Sequence, residues 1–247
     1  MKNINITEWT GLSYDGWIKL FEQNDKNRLI INKNLLGTLS TKQKKLIAPS
    51  ISAFQQGEKS EGNFLRKYAD KFAEKYNENL FPKAIDWFIK EENFHSSYLS
   101  IFMYGEKITS RRKNWLDRIF TNIRRSASIE SEIITLVTAE IVALTYYDLL
   151  ASATDSTELK RICKQMIDDE MPHIVFQSYT ISHFKQTGFL KLRRKILMEI
   201  TTVFVYIAFY DFFKKNSCTF TYFRSENIGY LDQSEEIIKD MKKIQAQ

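Results

Sequence analysis

Eight glycines and three prolines are few for 247 residues. Their scarcity argues against a turn-rich β sandwich or barrel and favours long helices. Only two cysteines are present, Cys163 and Cys218, far apart in the chain. They suit neither a disulfide framework nor a thiolate metal site, and a reduced compartment is the simplest expectation. The most apolar run is read as Ile200–Tyr210, about half of what a bilayer requires. The first residues, Met1-Lys2-Asn3-Ile4-Asn5, lack the apolar segment and cleavage site of a secretory signal. The expectation is a cytoplasmic protein without a transmembrane segment.

Strong net charge is also missing. The balance of +6 is modest and gives no reason to expect nucleic acid. It is unevenly spread, because Arg111, Arg112, Lys113, Arg118, Arg124 and Arg125 crowd one connection, with a second cluster at Lys191, Arg193, Arg194 and Lys195. Solvated surface is the plain reading of both. The sharper one is an acidic carrier domain, a negatively charged substrate or a membrane surface.

Histidine is the rarest chemistry-bearing residue, with three copies. Two of them carry a glutamate three positions earlier: Glu92-Asn93-Phe94-His95 and Glu170-Met171-Pro172-His173. Residues i and i+3 share one helix face, with Cβ atoms roughly 5–6 Å apart, so each pair can offer a carboxylate and an imidazole to one ion. Each motif has a glutamate upstream: Glu61 lies 92−61 = 31 positions before Glu92, and Glu140 lies 170−140 = 30 before Glu170. Each of those acids is followed seven residues later by a tyrosine, Tyr68 and Tyr147. The chain thus repeats one two-helix unit, which four ordinary solvated helices rarely do. Glu58 lies one turn before Glu61 on the same inward stripe. The repeat favours Glu61 as the ligand and leaves Glu58 as a pocket residue.

These stretches resemble the ferritin-like superfamily of non-haem dimetal carboxylate proteins, and within it the bacterial di-iron oxygenases. The likeness rests on Gly57–Gly62, Glu91-Glu92-x-x-His95, Thr138–Ile141 with Tyr146-Tyr147, and Asp169-Glu170-x-x-His173. It covers about residues 45–185. It implies an all-α, four-helix bundle with one long crossover and six ligands from four helices. The whole chain, 1–247, then reads as a single domain: a 1–44 extension with one short helix near Tyr14–Gln23, the bundle core, and a fifth helix and tail over 186–247.

The first bundle helix is expected to begin near Pro49 and run through Phe72, and the second to run from Pro82 to about Tyr104. The link from Gly105 to Ser128, with Trp115, Ile119, Phe120 and Ile123, is expected to cross the bundle's length. Ser128–Ala153 and Glu158–Phe184 supply the third and fourth helices. Phe189–Asn216 reads as an apolar fifth helix serving as core, pocket wall or dimer face. A short terminal helix is expected near Gln233–Ile244.

The resemblance implies metal ligation by Glu61, Glu92, His95, Glu140, Glu170 and His173, with Glu92 and Glu170 bridging. Tyr68 and Tyr147 would pack beside the ligands. Mixed carboxylate and imidazole donors suit two iron ions, or manganese or a mixed Fe/Mn pair, better than structural zinc. The implied activity is oxidation or hydroxylation of a small-molecule or carrier-bound substrate by dioxygen, fed by an electron donor. Iron oxidation and storage, or a dimanganese catalase, are the other expectations, because function lives in the pocket rather than the fold.

Overall fold

In the computed structural model, residues 9, 11–59, 62–109 and 128–245 are described. They form nine α-helices and one 3-10 turn, with no strand among them. The crossover residues Arg111, Arg112, Lys113, Trp115, Arg118, Arg124 and Arg125 lie outside the described residues, as does Glu61.

Helix α1 spans Tyr14–Lys26. Its Tyr14, Trp17, Ile18 and Phe21 follow the 3-and-4 spacing of an inward stripe, and all four are buried. Each such side chain contributes about 1.5–3 kcal/mol on burial. Helix α1 is therefore part of the core. A 3-10 turn at Lys33–Leu35 leads to α2, Thr41–Glu58, which opens with a reciprocal Ser40/Gln43 capping box.

The expected first bundle helix is corrected at both ends. It starts at Thr41, so Pro49 lies in its interior. It stops at Glu58, and a separate helix, α3, runs over Asn63–Tyr76. The join requires glycine at position 62. Gly62 has φ +65°, and a Cβ there would stand 2.4 Å from Ile89 Cδ1. Gly62→Ala is expected to destabilise the fold by about 1–3 kcal/mol, from left-handed backbone strain plus displacement of Ile89. Thermal unfolding reads this directly, and an unchanged melting temperature would refute it.

Helix α4, Phe81–Gly105, carries Pro82 in its first turn, as the sequence indicates. Helix α5, Ile129–Ala153, is capped by the Ser128 hydroxyl, and α6, Thr157–Ser182, by that of Ser156. Only Thr154–Ser156 separates α5 from α6, which makes the two an antiparallel pair packed along their lengths. Among the described residues, α5 alone is long and apolar enough to cross a membrane, and most of it is buried within the protein. It displaces Ile200–Tyr210 as the most apolar stretch.

The fifth helix is divided into α7, Gly188–Ala208, and a short α8, Tyr210–Lys215. The expected short terminal helix is instead α9, Phe220–Gln245. Its Phe223, Tyr230, Leu231, Ile237, Ile238 and Met241 are buried, and it packs against α5, α6 and α7. On the other side, α1, α2 and α3 all pack on α4, which also meets α6. One contiguous core runs from Tyr14 to Met241.

A candidate metal centre

The two Glu-x-x-His motifs lie on α4 and α6. Glu92 and His95 share the inner face of α4, and Glu170 and His173 that of α6; all four are buried. The two imidazole rings are 5.7 Å apart, centre to centre. Glu140 reaches the same interior from α5, where Gln177 Nε2 donates to its Oε1 at 3.0 Å.

The remaining acid is Glu58, the last residue of α2, and not a bystander. Its Oε2 stands 3.8 Å from His95 Nδ1. The Tyr147 hydroxyl donates to its Oε1 at 2.5 Å. Its carboxylate is thus one of the clustered donors, while Glu61, the acid favoured by the repeat, lies outside the described residues. Tyr68, proposed to mirror Tyr147, lies on α3, half-exposed among Lys67 and Lys71. His183 lies outside the cluster, with Nε2 3.0 Å from a Glu78 oxygen.

The donors form two groups, each with its ligand atoms within 4.8 Å of one another. Glu58, Glu92, His95 and Glu170 make one; Glu92, Glu140, Glu170 and His173 make the other. Glu92 and Glu170 belong to both. Glu92 Oε1 is 3.6 Å from His95 Nδ1 and 3.1 Å from His173 Nδ1. Glu170 turns one oxygen to each histidine, Oε1 to His95 and Oε2 to His173, both at 3.3 Å.

The inner nitrogens are Nδ1 because the outer ones are taken. His95 Nε2 lies 3.1 Å from Asp169 Oδ2, and His173 Nε2 3.0 Å from Glu91 Oε2. Each acid immediately preceding one motif's glutamate thus bonds the histidine of the other motif, on the facing helix. Such an outer hydrogen bond fixes ring orientation and aims the other nitrogen inward. The straps are themselves held: Asn24 of α1 donates to Glu91 Oε1 at 2.9 Å, and Gln165 to Asp169 Oδ1 at 2.9 Å. Sequence reading aligned Glu91 with Asp169 but gave neither a role, because the contact crosses between helices.

Burial sets the electrostatics. It pushes the Glu92 carboxyl up to about 7, with the Glu170 charge adding to the rise. Burial also drives Glu140 well above the ordinary carboxylate range, again helped by Glu170 and then Glu92. Glu170 moves the other way: burial alone would raise it, but the contacts from Glu140, His173 and His95 outweigh that and hold it ionised. Burial opposes charge on both histidines. The carboxylates of Asp169, Glu170 and Glu58 nevertheless raise His95, and those of Glu170, Glu91 and Glu92 raise His173. Without metal, the cluster therefore holds protons in its place.

A metal fits these residues. Glu92 Oε1, His95 Nδ1 and Glu170 Oε1 are buried and make no hydrogen bond. Unsatisfied buried polar atoms are costly, and several converging on one space could be satisfied by a shared cation. Fully ionised, the four carboxylates would carry four negative charges, which two divalent ions would balance with both histidines neutral. Phe88 and Phe21 close the His173 side, with ring centres 4.8 and 5.8 Å from the imidazole. No family model matches the chain, nor does any curated protein or solved structure. What its geometry establishes is a buried carboxylate and histidine cluster that could hold metal in two adjoining positions.

Proposed function

We propose that this protein is a dimetal carboxylate oxidoreductase of the ferritin-like kind, using two iron ions to oxidise or hydroxylate an organic substrate with dioxygen. The observation carrying this reading is the sharing of Glu92 and Glu170 by two Glu/His donor groups. Two separate structural sites would need no shared carboxylates. Oxygen and nitrogen donors without thiolate favour iron or manganese over structural zinc.

Glu92 and Glu170 would bridge, Glu58 and Glu140 would each terminate one side, and His95 and His173 would give one nitrogen apiece. Bound iron would supply redox chemistry toward dioxygen that none of these side chains possesses. The chain's own part is to hold the donors and keep bulk water out. Glu91 and Asp169 lock the imidazoles. Tyr147 keeps its proton, since burial and the Glu58 charge both raise its hydroxyl, and donates it to Glu58. An electron donor must reach the site from outside the chain.

The test begins with anaerobic loading. Two Fe(II) per chain should bind, and on exposure to air uptake should stop at that stoichiometry. Hundreds of irons per particle would favour storage instead, and rapid oxygen release from peroxide by the manganese form would favour a catalase. Tyr147→Phe should keep both ions but weaken the one beside Glu58 by about 10–100-fold, as loss of an outer hydrogen bond does. A competitive chelator titration measures this; identical affinities would show that the hydroxyl only packs.

A further inference from the structure

Helix α7 is apolar on two faces. Its buried face carries Leu190, Met198 and Val205 together with the polar Arg194, Thr201 and Thr202. Two of the polar side chains are tied to α9, Arg194 to Glu235 and to Ser234 Oγ at 2.7 Å, and Thr202 to Asn227 at 3.0 Å. Its outward face carries large apolar side chains, from Phe189 at 75% exposure to Ile207 at 65%. Phe189, Ile196 and Val203 recur every seventh residue along α7, with Ile200 and Ile207 four after the last two; Tyr210 opens α8 just past the break at Phe209, and all six are exposed. A seven-residue apolar repeat is the seam that a second helix packs against at a shallow angle.

We propose that this seam is a homodimer interface in which α7 packs antiparallel against α7 of a second copy. The seam is self-complementary about a twofold axis midway between Glu199 and Ile200. Phe189 then faces Tyr210 of the other copy, Leu192 faces Ile207, and Ile196 faces Val203. Isologous pairing of this kind closes at two subunits. Charge selects the direction. Lys191 and Lys195 flank the first turns and Asp211 follows the last, and all three are exposed. The antiparallel arrangement brings Lys191 toward the partner copy's Asp211, whereas a parallel one sets lysine against lysine. Area agrees as well. At roughly 150–250 Å² per large side chain, the exposed parts of the seam sum to about 700–800 Å², close to the ~800 Å² per partner of a stable interface.

Sedimentation velocity on the full chain should give a species of about twice 29.2 kDa. Ile196→Lys and Val203→Glu, made in separate chains, should each weaken self-association about a hundred-fold or more, since each buries an unpaired charge at the seam. Both positions are exposed in the single chain, so far-UV circular dichroism should be unchanged. Mixing the two variants should restore a dimer, because the substituted lysine of one chain then meets the substituted glutamate of the other. A wild-type monomer at roughly 100 µM, where such an interface should be populated, would overturn the proposal. So would a dimer indifferent to either substitution, or a monomer captured by anionic phospholipid vesicles, which would assign the face to a lipid surface.

Discussion

Replacing Glu170 by alanine is expected to remove both ions at once, whereas replacing Glu140 should remove one. The difference follows from sharing: Glu170 belongs to both donor groups, and Glu140 only to that of His173. Wild type should hold about two ions per chain, Glu170→Ala close to none, and Glu140→Ala or Glu58→Ala about one. Glu170→Ala also removes the carboxylate that Glu140, His95 and His173 contact, so a lower apo melting temperature is expected alongside the loss of metal. Elemental analysis of the purified proteins, with circular dichroism as the folding control, reads the result. Equal losses in all three variants would mean that the groups are not two positions with common walls. The same measurement on Glu61→Ala compares the two acids of the first motif directly.

Metal should stabilise the fold strongly, and more so as pH rises. Two ions at a hundred-fold excess over their dissociation constants add about 5 kcal/mol, which is on the order of 10–20 °C in a chain of this size. The pH dependence has a definite sign. Glu92 rises to about 7 in the folded apo protein and Glu140 rises further, so between about pH 4.5 and 7 the fold holds protons that the unfolded chain has released. That stabilisation fades as pH climbs through the folded values. His95 and His173, also raised, act the same way above about 6.5. Among the clustered groups with a shift, Glu170, held low, works in the opposite sense, and its loss belongs to strong acid. Apo stability should therefore fall from pH 5.5 to 8. Metal affinity should grow over the same range, because binding must expel those protons. Melting curves of chelated and loaded protein would show the gap widening, and a gap independent of pH would sink the argument.

Much of the site was legible because helix periodicity is local. Glu92 with His95 and Glu170 with His173 need only the i, i+3 rule, and Glu140 needs only the repeat. The same repeat gave Glu58 no place among the donors. It counted residues along one unbroken helix, while the chain breaks between Glu58 and Gly62. A break resets the phase, so equal spacing no longer means equal depth. Gly62 was the available signal, since a positive φ there ends the register. Glu91 and Asp169 stayed hidden for another reason: their bonds join helices, and no single-helix pattern encodes them. The final helix was expected only from about Gln233, because the stretch from Phe220 read as an aromatic and then charged tail. In the fold, Asn227 is buried against Thr202.

Helix α5 also has a bearing on how the chain must be made. Its most apolar stretch is shielded chiefly by α6, α7 and α9, all of which follow it in sequence. During synthesis, α5 leaves the ribosome before its shelter exists, and the Glu140 carboxylate on it leaves before its counter-ligands on α6. Exposed apolar helix in a nascent chain draws chaperones and aggregates when the rest is missing. A chain cut short after α5 is thus left with a sticky, unmatched surface, which the C-terminal helices cover in the complete fold.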